Sequence, residues 1–229
     1  MRKLLILLDK LRGSLATDGL AGTWRKVRHT LDGGNKEPRS AFDLAHGTDT
    51  SGIVPLWQTS VDPAQARSGE RYQAANDVQA RAAIEALDLD PTAYTFIDLG
   101  CGKGLPLLIA GQLGFSRIIG VEFAPELAEI ARANLARMGF TQAEVVTGDA
   151  GEFTFPLSPL VIFFYNSFQP EVLARCLARL RHTAPPQAWF IYLNPQHRAF
   201  IEQQPDFHSL PVTEGLGEWV RLYRIIPAA

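Results

Sequence analysis

Apolar and polar positions repeat along this chain with two different periods. Short apolar runs rich in β-branched and aromatic residues occupy 94–99, 118–123, 144–147, 160–165, 189–193 and 219–226, and they predict six strands. Between several of them the spacing is helical: Leu105, Leu108, Ile109 and Leu113, then Leu127, Ile130, Ala131, Leu135 and Met138, then Leu173, Cys176, Leu177 and Leu180. Apolar strands alternating with helical stripes predict a mainly parallel sheet with helices on both faces, because right-handed crossovers carry the helices there. Upstream, residues 68–87 read as one helix with Tyr72, Ala75, Val78, Ala82 and Leu87 apolar, stopped by Asp90-Pro91. Residues 31–63 carry turn signals instead, among them Asp32-Gly33-Gly34-Asn35, Gly47, Gly52 and Pro55, and read as a connecting segment and candidate lid. Leu4, Leu8, Leu11 and Leu15 put one or two amphipathic helices into residues 1–30. The fold class is α/β and Rossmann-like, with 68–229 as the domain and 1–67 as a helical extension.

Composition narrows the function classes. With 229 residues, a mass of 25.2 kDa and 46% apolar residues, the chain suits one folded unit with a sizeable core. No apolar run approaches the roughly 20 residues of a membrane-spanning helix. Cys101 and Cys176 show no ligand or disulfide spacing, and the five histidines show no pair four apart, so no metal is expected and a reducing cytoplasm fits. Charge is uneven: residues 1–40 hold nine Lys or Arg against four Asp or Glu, and the remainder thirteen against twenty. The body is therefore a poor partner for nucleic acid, whose phosphates need an excess of cations. The basic N-terminal segment reads as a helix packed on the domain or, alternatively, as a contact for a partner or membrane surface.

The sharpest local signal is a strand that runs into glycines, FIDLGCGKG at 96–104. In an open α/β sheet the ligand crevice lies at the carboxyl ends of such strands. Glycines there let a ligand lie against the backbone. The spacing Gly100, Gly102, Gly104, with Leu105 where a dinucleotide fingerprint needs glycine, argues against a nicotinamide cofactor. Asp98 ends that strand, facing turn amides or a bound ammonium group. Glu122 ends the next, where an acid reaches two ribose hydroxyls unless it is a solvated strand end, and Asp149 follows the third, either facing an adenine amino group or as part of an ordinary Gly-Asp turn. The fourth strand ends in Tyr165-Asn166-Ser167-Phe168, an amide with flanking aromatics; Asn166 suits substrate positioning, unless it merely caps the next helix. Asn194-Pro195 reads as a turn, and Lys103 as a side chain pointing to solvent.

These residues resemble the class I S-adenosylmethionine-dependent methyltransferases. The likeness to the broad class lies in FIDLGCGKG (96–104), IIGVEF (118–123) and GDA (148–150). A narrower, largely uncharacterised bacterial group adds FDLAHGTDTSG (42–52), IARANL (130–135), FYNSF (164–168) and YLNP (192–195). The resemblance implies that Asp98, Gly100 and Gly102 hold the methionine and ribose part of S-adenosylmethionine, Glu122 its ribose hydroxyls and Asp149 its adenine; Cys101, Phe123 and Ala150 complete that wall. It also suggests that 48–52 folds over the cofactor, the alternative being a surface turn. The narrower group usually carries serine and arginine in place of Cys101 and Leu105, and proline in place of Ser167.

Methyl transfer by in-line displacement is the activity so implied, with Asn166 and Tyr165 as the candidate catalytic residues. No dedicated base is demanded, although Asp49, Tyr165 and His46 stand near the expected rim. A protein side chain or a small molecule is favoured over nucleic acid as acceptor, which itself stays unidentified. A non-catalytic cofactor-binding module and, behind it, a nicotinamide-dependent oxidoreductase are the alternatives.

Overall fold

The computed structural model describes residues 39–55, 59–61, 72–212 and 216–226, so the helices expected within 1–30 lie outside the described residues. Seven strands form the main sheet: β3 (Thr95–Leu99), β4 (Arg117–Glu122), β5 (Ala143–Thr147), β6 (Leu160–Phe164), β7 (Ala188–Leu193), β8 (Phe207–Ser209) and β9 (Val220–Ile225). Their order is β5-β4-β3-β6-β7-β9-β8. The chain moves outward from β3 through β4 to β5, then returns to lay β6 on the other side of β3. That reversal opens a crevice at the carboxyl ends of β3 and β6, where α/β proteins bind ligands. The six strands anticipated from apolar runs are all present. The short β8 was not anticipated; β9 inserts antiparallel between it and β7.

The interior is divided by the sheet. On one face α2 (Asp77–Glu85), α3 (Leu105–Leu113) and α4 (Pro125–Arg137) pack Ala83, Leu108 and Ala131 against Phe96, Ile118 and Phe163. On the other, α5 (Pro170–Thr183) sets Leu173, Cys176 and Leu177 against Ile97, Ile162 and Phe190. Neighbouring residues such as Phe96 and Ile97 point to opposite cores, as the two-residue period of a strand requires.

Two upstream expectations are corrected. The helix read over 68–87 begins only at Asp77, because Asn76 caps it by accepting a hydrogen bond from the Gln79 amide at 3.0 Å. Tyr72–Gln73 is instead a strand, β2, paired antiparallel with β1 (Ile53–Val54). Within the segment read as irregular, Ser40 caps a short helix α1 (Ala41–His46), whose chain end at Gly47 turns left-handed. A still shorter helix, α6 (Arg198–Glu202), follows β7.

Candidate active site

The glycine turn is pinned to the neighbouring strand before it reaches its helix: the amides of Gly100 and Cys101 both donate to the Val121 carbonyl, at 2.8 and 3.0 Å. Gly100 and Gly102 have φ of +79° and +53°. A Cβ on Gly100 would lie 2.3 Å from the Ser167 side chain, and one on Gly102 would lie 2.3 Å from the Tyr72 ring. Both positions therefore require glycine for space as well as conformation. Above the turn opens a cavity of about 410 Å³, with Asp98, Gly102, Glu122 and Phe123 on one side and Tyr165 and Asn166 on the other. Its size is that of a small-molecule pocket.

Two acids give the cavity its electrostatic character. Glu122 is buried; its two oxygens accept from the amides of Gly102 at 2.8 Å and Ala124 at 2.9 Å. Burial raises its pKa, and those amides oppose the rise. Asp98 is only 2% exposed and accepts no hydrogen bond from any described side chain or backbone amide. Burial first, and the Glu122 charge second, push its pKa well above the ordinary carboxylate range. Among the described residues lining the cavity there is no Lys, Arg or His to balance them. An unpartnered acid beside Cβ-free backbone fits a ligand that carries an ammonium donor and lies against the turn.

The opposite wall is neutral. Asn166 is buried with φ +45° and does not cap α5, whose N-cap is Gln169. Tyr192 accepts from the His197 amide at 3.0 Å and donates to Asn166 Oδ1 at 3.2 Å, which fixes the amide at the cavity rim. Burial raises the Tyr165 pKa, so the phenol stays protonated. Asn194, read as a turn residue, also lines the cavity, together with Gln196 and Tyr72.

The strap at 48–52 does not line the cavity; it braces the turn from behind. Asp43, fully buried, accepts five hydrogen bonds: from Thr48 Oγ1, from the Thr50 amide and Oγ1, and from the Ser51 amide and Oγ. Burial alone would raise its pKa, but these donors together lower it. Asn134 on α4 exchanges hydrogen bonds with the Asp49 backbone, both at 2.9 Å, and donates to the Lys103 carbonyl. Lys103 is buried rather than solvent-directed: its Nζ lies 2.8 Å from both Asp49 Oδ1 and the Ser51 carbonyl. Tyr72 completes the join, its hydroxyl donating to the Thr50 carbonyl.

The structure thus brings Asp98, Gly100, Cys101, Gly102, Glu122, Phe123, Tyr165 and Asn166 around one cavity. Asp149 and Ala150 are not on that wall. Asp149 instead caps a turn at the Gly151 amide, 2.8 Å, and pairs with Arg175 of α5, 2.8 Å. Asp49 is engaged by Lys103, and His46 lies against Phe42 with ring centroids 4.6 Å apart; neither lines the cavity. Tyr72, Gln73, Asn194 and Gln196 are the lining residues with polar side chains that sequence reading missed. The Asn-Pro step was the only cue to any of them.

A mainly parallel sheet with a glycine turn and an acid at its first two strand ends is a Rossmann-like architecture. Residues 96–187 match a family described as "Methyltransferase domain". Two curated relatives are the ribosomal protein L11 methyltransferase of Dechloromonas aromatica, 33% identical over 50% of this chain and 41% of its own, and the protein-L-isoaspartate O-methyltransferase of Methanoculleus marisnigri, 33% identical over 33% of this chain and 34% of its own. The chain thus spans well under two thirds of either. In fold it resembles the putative methyltransferase yhhF of Escherichia coli, with TM-score 0.57 and 16% identity over 68% of this chain and 89% of that one. It also resembles an RNA methyltransferase of Salinibacter ruber in complex with S-adenosylhomocysteine, with TM-score 0.51 and 24% identity over 69% of this chain and 95% of that one. Residues 96–187 therefore match a methyltransferase domain, and the sheet that contains them has the Rossmann-like fold of solved methyltransferases.

Proposed function

We propose that this protein transfers a methyl group from S-adenosylmethionine to a protein side chain or a small molecule rather than to nucleic acid. One observation carries the reading: the cavity at the carboxyl ends of β3, β4 and β6 joins a glycine turn and two buried acids to a neutral wall of Tyr165, Asn166 and Asn194. When bound, S-adenosylmethionine supplies a methyl carbon already activated by its positive sulfur. The protein's own part is alignment and exclusion of water. Asp98 takes the ammonium group, the remaining lone pairs of Glu122 take the ribose hydroxyls, and Gly100 and Gly102 let Ser167 and Tyr72 close against the turn as walls of the pocket. Asn166, held by Tyr192, orients the acceptor atom in line, where positioning alone lowers the barrier by on the order of several kcal/mol. Asp149, bonded to Gly151 and Arg175, is left out of this assignment.

The acceptor class is supported by charge and by relatives. The cavity lining holds no cation among the described residues, and acidic residues outnumber basic ones over 41–229. A relative named for methylating ribosomal protein L11 is consistent with a protein acceptor. Labelled S-adenosylmethionine incubated with lysate fractions tests the proposal. Enzyme-dependent label that survives nuclease supports it. Label that nuclease removes overturns the acceptor class, and cofactor binding without any transfer favours a binding module.

A further inference from the structure

Asp98 and Glu122 end adjacent parallel strands and face the same cavity, yet they are treated differently. Glu122 has two backbone donors. Asp98, 2% exposed, has none among the described residues. Two carboxylates facing one cavity with no cation beside them cannot both stay ionised cheaply, and one proton shared between them removes most of the repulsion. The other titratable groups on this wall cannot supply the charge. Cys101, Tyr72 and Tyr165 are held in their neutral forms by burial. Arg132, which faces Cys101 from α4, is taken by Glu129 and Thr147. Lys103, 5.7 Å from the Tyr72 ring centre, is taken by Asp49, and Asp43 faces Tyr72 from α1 with its donors from the strap in place.

We propose that Asp98 and Glu122 hold one proton between them in the free protein and release it to solvent when the α-ammonium of the cofactor arrives, so that cofactor binding is proton-coupled. The ammonium brings both the donor that Asp98 lacks and the positive charge that lets the pair ionise fully. Affinity consequently falls as pH drops through the titration of the free pair, by up to about tenfold per pH unit. This rests on reading the cavity as the S-adenosylmethionine site.

Calorimetry with S-adenosylhomocysteine on the whole chain tests it, at several pH values between about 5.5 and 7, where α-amino groups stay charged. Each titration is run in one buffer of low and one of high ionisation enthalpy. The expected result is a buffer-dependent heat of proton release that grows as the pH is lowered. Asp98→Asn and, separately, Glu122→Gln abolish that release. 5′-Methylthioadenosine, which has no ammonium group, releases none. Heats independent of buffer across the range, or the same release in Asp98→Asn, overturn the inference while leaving the cofactor assignment intact. Absence of any binding by S-adenosylhomocysteine or S-adenosylmethionine overturns the cofactor assignment instead.

Discussion

Asp43 and Asp98 are the same residue type, equally hidden from water, and they have opposite fates. Asp43 sits under the strap at 48–51, and five donors converge on it. Asp98 sits at the end of β3 with no donor among the described residues and with Glu122 as its neighbour in charge. The pKa of the first is lowered despite burial, and that of the second is raised by it. A buried carboxylate with all its donors supplied by the chain belongs to the scaffold. One whose donors are missing is built for something that arrives from outside.

The linkage signs follow. Asp43 binds its proton less tightly when folded, so its stabilisation is present above its unfolded pKa and is lost as pH falls through the lower folded value. Asp98 binds its proton more tightly when folded, so the stability this confers is full below its unfolded pKa and is lost as pH rises through the raised folded value. Removing each group should therefore push stability in opposite directions.

The largest effect is expected at the scaffold aspartate. Asp43→Ala leaves its donors unanswered and costs about 3 kcal/mol in denaturant unfolding, with loss of amide-exchange protection at Thr50 and Ser51. A cost below about 1 kcal/mol would mean that the strap is dispensable to the fold. Next, Glu122→Ala weakens S-adenosylhomocysteine binding by about 1–3 kcal/mol in calorimetry. An unchanged dissociation constant counts against its ribose role. Asp98→Asn, in contrast to Asp43→Ala, raises the thermal midpoint of the free protein at neutral pH by a few degrees, about 1 kcal/mol, while weakening cofactor binding. Destabilisation of similar size would erase the contrast between the two aspartates. Smallest on binding is Asn166→Ala, which shifts cofactor affinity by less than about 0.5 kcal/mol and lowers turnover on whatever acceptor the lysate screen yields. Equal loss of both would move Asn166 from the acceptor to the cofactor side or to the fold.

The difference between these two regions also explains what could be read in advance. The buried parallel strands are legible because each is a continuous apolar run, and the glycine turn is legible because its chemistry is local, from Asp98 to Gly104. The strap is not. Asp43, Thr48, Thr50 and Ser51 look like ordinary loop residues until they converge, and Lys103 is buried only because Asp49 and the Ser51 carbonyl, some fifty positions upstream, meet it. Tyr72 continues the spacing of the helix that follows, and its departure into β2 depends on pairing with Val54. Asp149 stands where an adenine contact would be read, but Arg175, on a helix the local sequence cannot see, claims it. What sequence withholds here is non-local hydrogen bonding.

The placement of β9 has a consequence for how the protein is made. β8 precedes β9 in the chain and, among the described residues, pairs in the sheet with β9 alone, so until β9 is made both β8 and the outer edge of β7 lack that neighbour. During that interval two sets of backbone groups have no neighbour, and the nascent chain is most exposed to mispairing with another copy of itself.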